Sequence, residues 1–154
     1  MPDEVFNIWL RPHIEAYGPP VHCDSEQQTD CRWLKEFRYR PYSFWSTVRW
    51  KKSIAEVSKL PLEQRACALT KKLGENFIEY ETSKRWDRTG VTDSLQRMNQ
   101  LVDYVRSNGS FPAPIVCLAS NSEWLLLDGH HRLAAAHVAK MEGPVVIWLG
   151  QDNV

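Results

Sequence analysis

Asp128-Gly129-His130-His131-Arg132 is the run of residues best suited to chemistry in this chain of 154 residues. The residues that follow have helical spacing, and the first N–H groups of a helix have no internal partner and lie at the positive end of its dipole. Gly129 lets the backbone approach a ligand closely, and Arg132 can donate two hydrogen bonds to one phosphate. Residues 128–132 are therefore predicted to form a phosphate-binding turn.

Histidines and a carboxylate add chemistry to this turn. His130 and His131 differ in direction by about 100° on a helix, so both cannot face the core. At least one is expected to face the anion, where it can donate to a phosphate or exchange a proton near neutral pH. Two interpretations of Asp128 stay open: it holds a magnesium–nucleotide complex or orients a histidine, or it is a turn residue that accepts local backbone hydrogen bonds.

Hydrophobic periodicity predicts the elements that hold the turn in place. Apolar runs predict strands over 115–118, 124–127 and 145–149, and a further core strand over 76–81. A helix is predicted to begin at His130, with Ala134, Val138 and Met141 on one face. Another helix is predicted over 93–107, with Asp93 as its capping residue and Gly109 after its end. Its buried stripe is predicted to be Leu95, Met98, Val102 and Val105.

The motif and the order of its elements resemble the ParB/sulfiredoxin superfamily. The resemblance is carried by Asp128 to Ala135 and by the predicted order of strands and helices over roughly residues 76–150. It implies an α/β (α+β) fold with a small mixed sheet, and a nucleotide bound at the Asp-Gly-His-His-Arg turn. ATP or ADP, with CTP as an alternative, and Mg²⁺ are the implied cofactors.

Departures from the family pattern indicate which branch of the superfamily the motif resembles most. Sulfiredoxins have their reactive cysteine where His130 stands, and too few residues follow Arg132 for the helix-turn-helix domain of chromosome-partition ParB proteins. The motif is most similar to that of free serine kinases, which phosphorylate a hydroxyl with the help of a glutamate base and a histidine. Small nucleases and toxin domains also belong to the superfamily.

The resemblance to these kinases implies a catalytic glutamate ahead of the first core helix. Glu81 is the first candidate for this base, and Glu79 is the second. A carboxylate there would orient the attacking hydroxyl, while positioning and charge neutralisation supply most of the catalysis of phosphoryl transfer.

Charge and composition exclude some classes of protein. Lys+Arg and Asp+Glu both number 19, so the net charge is zero, without the basic excess of a dedicated duplex-binding protein. No apolar run approaches the ~20 residues of a membrane span, and the acidic start Met1-Pro2-Asp3-Glu4 does not resemble a signal peptide. The chain is expected to be cytoplasmic, without a membrane partner. No metal site formed by protein side chains alone is predicted, because Cys23 and Cys31 match no common zinc spacing.

The two halves of the chain differ in character, although neither a linker nor a repeat divides them. Residues 1–75 are predicted to form a helical and irregular extension that packs on a core of residues 76–154. Within the extension, one helix is predicted to begin at Pro61 and to end at Gly74.

Residues 37–50 are dense in aromatic side chains and arginine. They form a surface for stacking on bases and contacting phosphates, or Phe37, Trp45 and Trp50 pack the extension onto the core while the arginines reach solvent. Zero net charge favours packing.

These observations predict a nucleotide-binding protein that transfers or hydrolyses a phosphoryl group. Gly129, His130, His131 and Arg132 would hold the phosphates, and the catalytic residues would be His130, His131, Asp128 and Glu81. The acceptor would be a hydroxyl of a small molecule or a protein. Two alternatives are a nuclease or toxin that acts on a phosphodiester, and an adaptor that senses nucleotide without turnover.

Overall fold

A computed structural model of the chain describes residues 1–18, 40, 42–61, 91–121 and 123–152. Its N-terminus is one helical stretch formed by α1 (Asp3–Val5), a π-helical segment (Phe6–Leu10) and α2 (Arg11–Tyr17). After α3 (Tyr42–Thr47) come strand β1 (Arg49–Glu56) and a 3₁₀ turn (Val57–Lys59). The remaining elements are α4 (Val91–Asn108), β2 (Ile115–Ser120), β3 (Glu123–Asp128), α5 (His130–Val138) and β4 (Pro144–Gln151).

The four strands form one sheet in the order β1-β4-β2-β3. β2 and β3 are antiparallel, with Cys117 opposite Leu126 and Leu118 opposite Leu125. The predicted α+β class with a small mixed sheet is confirmed. No helix in the described part of the chain is long and apolar enough to cross a membrane.

Three predicted strands and two predicted helices are present, with bounds that differ by one or two residues. β2 forms because its first four residues are apolar and include β-branched side chains, and all four are buried. α4 begins at Val91, so Asp93 lies inside the helix and not at its cap. The predicted helix between Pro61 and Gly74 and the predicted strand over 76–81 lie outside the described residues.

Strand β1 was not predicted from the sequence. Its segment has basic residues at three of its first four positions and alternates poorly between apolar and polar side chains. Charged residues are typical of edge strands, where they discourage pairing with other chains. Among the described strands, β1 lies at the edge of the sheet beside β4. The sequence predicts its residues as part of the extension.

Two compact units make up the structure. The first comprises Met1–Ser53, Val116–Asp128 and Ile147–Val154, and the second comprises Ile54–Ile115 and Gly129–Val146. The core of the first unit joins the N-terminal helical stretch to β2 and β3 through Trp9, Leu10, Trp45, Leu118 and Leu127, among others.

Tryptophans dominate the core of the first unit. Trp9 and Trp45 are fully buried, and their rings meet edge to face at 4.8 Å between centroids. Arg40 lies 4.3 Å from the centre of the Phe44 ring and pairs with Asp152 at 2.7 Å. The preference for packing is therefore confirmed for Trp45 and for Trp50, which packs against the same core. Phe37 lies outside the described residues.

The core of the second unit forms where α4 packs on α5. Met98, Val102 and Val105 of α4 are buried against Ala134 and Ala135 of α5. Val138 and Met141 pack against the same cluster, which confirms the predicted apolar face, although Met141 lies beyond the end of α5. The side chain of Leu95 is outside the described part of the structure.

The C-terminus of α5 has the hydrogen bonds of a Schellman motif. The N–H of Met141 donates to the carbonyl of Ala136 at 2.8 Å, and the N–H of Lys140 donates to that of His137 at 3.1 Å. Glycine usually occupies the left-handed position of this motif, but here Lys140 adopts it with φ of +53°.

We expect Gly150→Ala to lower the free energy of unfolding by about 1–3 kcal/mol, because the added methyl group overpacks the core. Its Cβ would lie 2.7 Å from Cγ1 of the buried Val48 and 3.0 Å from Cζ3 of Trp50. Urea unfolding followed by tryptophan fluorescence measures the change. Val146→Ala, at an exposed position of the same strand, serves as the control with a change under about 0.5 kcal/mol. Equal stability of Gly150→Ala and the unmodified protein would contradict this packing.

We expect Lys140→Gly to raise the free energy of unfolding by about 0.5–1 kcal/mol, because glycine adopts the left-handed conformation without steric cost. The entropy that glycine adds to the unfolded chain offsets part of the gain. The same urea titration tests this, with Lys140→Ala as the comparison that keeps the strain. A loss of stability in Lys140→Gly would show that the side chain of Lys140 contributes more than its backbone costs.

Candidate functional site

The predicted turn is a left-handed glycine between a strand and a helix. β3 ends at Asp128, and Gly129 is the N-cap of α5 with φ of 108° and ψ of 18°. The carbonyl of Gly129 accepts the first helical hydrogen bond, from the N–H of Leu133 at 2.9 Å. No side chain caps this helix. The geometry leaves the N–H groups of the first turn outside the intrahelical ladder, as an anion site requires.

Close contacts around Gly129 explain why the turn needs glycine. A Cβ atom at this position would lie 2.9 Å from Cγ1 of Ile115 and 3.3 Å from Nη2 of Arg132. Gly129 itself is buried. The guanidinium of Arg132 therefore folds back against the turn from which its own helix starts.

The side chains of the first helical turn differ in their exposure. His131 is exposed, whereas His130 and Arg132 are half-buried. The Nε2 atom of His130 and the Nε atom of Arg132 are both buried. The different exposure of the two histidines agrees with the 100° step between successive helical residues.

The structure brings together four of the predicted site residues: Gly129, His130, His131 and Arg132 lie in one turn of the second unit. Asp128 directly precedes them in the chain, closes β3 opposite Val116 and belongs to the first unit. Glu79 and Glu81, the candidate bases, lie outside the described residues. Within the part of the chain that the structure describes, no group of three or more His, Cys, Asp or Glu side chains is placed to hold a metal ion.

The second unit contains a cavity that the sequence does not predict. Its volume is about 620 Å³, and its described walls come from α5 beyond Arg132, the residues that follow α5, and Glu56 to Ser58. The spacing of Leu133, Ala136 and Lys140 does indicate one helical face. No sequence signal, however, connects this face with residues 56–58.

Comparison of the chain with protein-family models, curated proteins and solved structures finds no match.

We expect Gly129→Ala to destabilise the protein by about 2 kcal/mol or more, because it adds a steric overlap with Ile115 to the cost of a left-handed alanine. Gly143→Ala is the matched control, since Gly143 has φ of +97° but open space around its Cβ position. It should lose only about 1 kcal/mol. Thermal unfolding compares the two variants, and equal losses would show that the contact with Ile115 contributes nothing.

Proposed function

We propose that this chain binds a nucleotide through its phosphates at Gly129 to Arg132 and transfers or hydrolyses the terminal phosphoryl group. The observation that carries the proposal is the position of Arg132, whose Nη2 lies 3.3 Å from the Cβ position of Gly129 at the start of α5. The guanidinium group of Arg132 and the positive end of a helix dipole thus lie at the same glycine turn. This combination suits a phosphate better than either feature would alone.

The chemistry follows from the residues of the turn. Backbone N–H groups of the first helical turn and the Arg132 guanidinium would neutralise the charge that builds up on the transferred group. The half-buried His130 would donate to a phosphate oxygen, and the exposed His131 would exchange protons with solvent or with the acceptor. These roles agree with the resemblance of the motif to that of the free serine kinases.

A carboxylate and a metal would complete the reaction. Magnesium bound with a nucleotide needs only one or two protein carboxylates, since phosphate oxygens and water fill its other positions. Asp128, next to the turn in the chain, would supply one such carboxylate, and Mg²⁺ would supply charge neutralisation. Glu81 is the proposed base for a hydroxyl of a small molecule or protein.

Isothermal titration with ATP, ADP and CTP in the presence of magnesium tests binding directly. Arg132→Ala and Arg132→Gln should each weaken the binding of the preferred nucleotide by about 10- to 100-fold, because each removes a charge-assisted pair of hydrogen bonds. Arg106→Ala, which removes an exposed arginine near the end of α4, is the matched control and should bind like the unmodified protein. Full affinity in both Arg132 variants would refute the phosphate site.

Product analysis then separates the reactions. Phosphate release from the bound nucleotide indicates hydrolysis, and transfer to an added hydroxyl compound indicates a kinase. A nucleotide that is bound but left intact indicates an adaptor. Cleavage of single-stranded DNA or RNA without nucleotide binding would replace this proposal with a nuclease or toxin activity.

A further inference from the structure

The cavity of about 620 Å³ in the second unit has an apolar floor and a charged rim. Among its apolar lining residues, Leu133 and Ala136 of α5 are buried, whereas Val57 and Met141 are half-buried and keep accessible surface. A backbone hydrogen bond from Val57 to the carbonyl of Gly143, at 3.0 Å, holds the two halves of the rim together. The described lining residues all belong to one unit, and the volume lies within the range of about 300–1,000 Å³ that is usual for ligand sites.

Charges of both signs lie on the rim without pairing with each other. Glu56, Lys140 and Glu142 are exposed side chains that line the same cavity. Within the described residues, none of these three side chains takes part in a hydrogen bond or an ion pair. Among the described lining residues, one lysine and two glutamates are thus available to a ligand.

The backbone at Lys140 adds an independent observation. Its φ of +53° is a conformation in which glycine would be more stable. Strained residues of this kind concentrate at ligand-binding sites, where a particular side chain is needed despite its cost. Lys140 is the strained residue of the α5 terminus, and among the described residues that line the cavity it is the only lysine or arginine.

We propose that this cavity binds a small zwitterion with an aliphatic body, of the size of a short peptide. Its ammonium group would lie between Glu56 and Glu142, its carboxylate would pair with Lys140, and its aliphatic part would cover the half-buried Val57 and Met141. A simple amine would leave Lys140 without a partner, and a simple carboxylate would face two like charges. The site includes none of the residues from Gly129 to Arg132, so it does not depend on the nucleotide proposal.

Leucyl-leucine is the probe, used in isothermal titration and in amide-resolved NMR of the whole chain. Saturable binding is expected, with shifts at Val57 and at residues 136–143. Blocking the ammonium by N-acetylation, or the carboxylate by amidation, should each weaken binding by about tenfold, because each removes one charged partner. Equal affinity for the dipeptide and both blocked forms would overturn the assignment, as would no binding at all.

Two variants of Lys140 separate the site from the fold. Lys140→Gly should lower the affinity for leucyl-leucine by about tenfold while leaving the affinity for its amide unchanged, since the amide has no carboxylate to lose. Lys140→Arg should keep most of the affinity for the dipeptide. Because Lys140→Gly is expected to stabilise the fold, unfolding cannot explain its loss of binding. An unchanged difference between dipeptide and amide in Lys140→Gly would show that Lys140 is not the carboxylate partner.

Discussion

The conformation of Gly129 is the constraint on which the candidate site depends. One residue must turn the chain from β3 into α5, and it does so with φ of 108°, where a side chain would be strained. Ile115 closes the space where a side chain would begin. The start of α5 at His130 follows from this single residue. The same absence of a side chain leaves room for the Arg132 guanidinium against the turn.

Both ends of α5 require a residue in the left-handed backbone conformation, and different residue types adopt it at each end. At its start a glycine accepts the left-handed conformation without cost, and the helix has no capping side chain there. At its end Lys140 accepts that conformation at a cost, within a fully bonded Schellman motif. The first arrangement places the start of a helix, the positive end of its dipole, at the proposed phosphate site. The second directs a long cationic side chain to the rim of a cavity. One helix of nine residues thus carries both proposed sites.

Aromatic packing in the first unit shows that a segment rich in aromatic side chains and arginine can form part of a protein core. The segment rich in tryptophan and arginine has the residues of a nucleic-acid surface, but Trp45 is fully buried against Trp9, and Arg40 pairs with Asp152 beside Phe44. Large aromatic rings gain more from burial than from exposure, and an arginine can cover them while it keeps its charge paired. Neutral overall charge was the sequence feature that pointed to this outcome.

The sequence by itself determined the local elements: apolar runs specify β2, β3 and β4, and the glycine before an alanine-rich run specifies the start of α5. It also placed Arg132 in the first helical turn, because helical geometry is local. Only the tertiary structure decided that β1 joins the sheet, since the hydrophobic signal of a charged edge strand is weak. It alone brought Glu56 to Ser58 beside the end of α5, through a hydrogen bond between residues 86 positions apart, Val57 and Gly143. Contacts of this kind depend on how distant segments pack, and no periodicity within either segment encodes them.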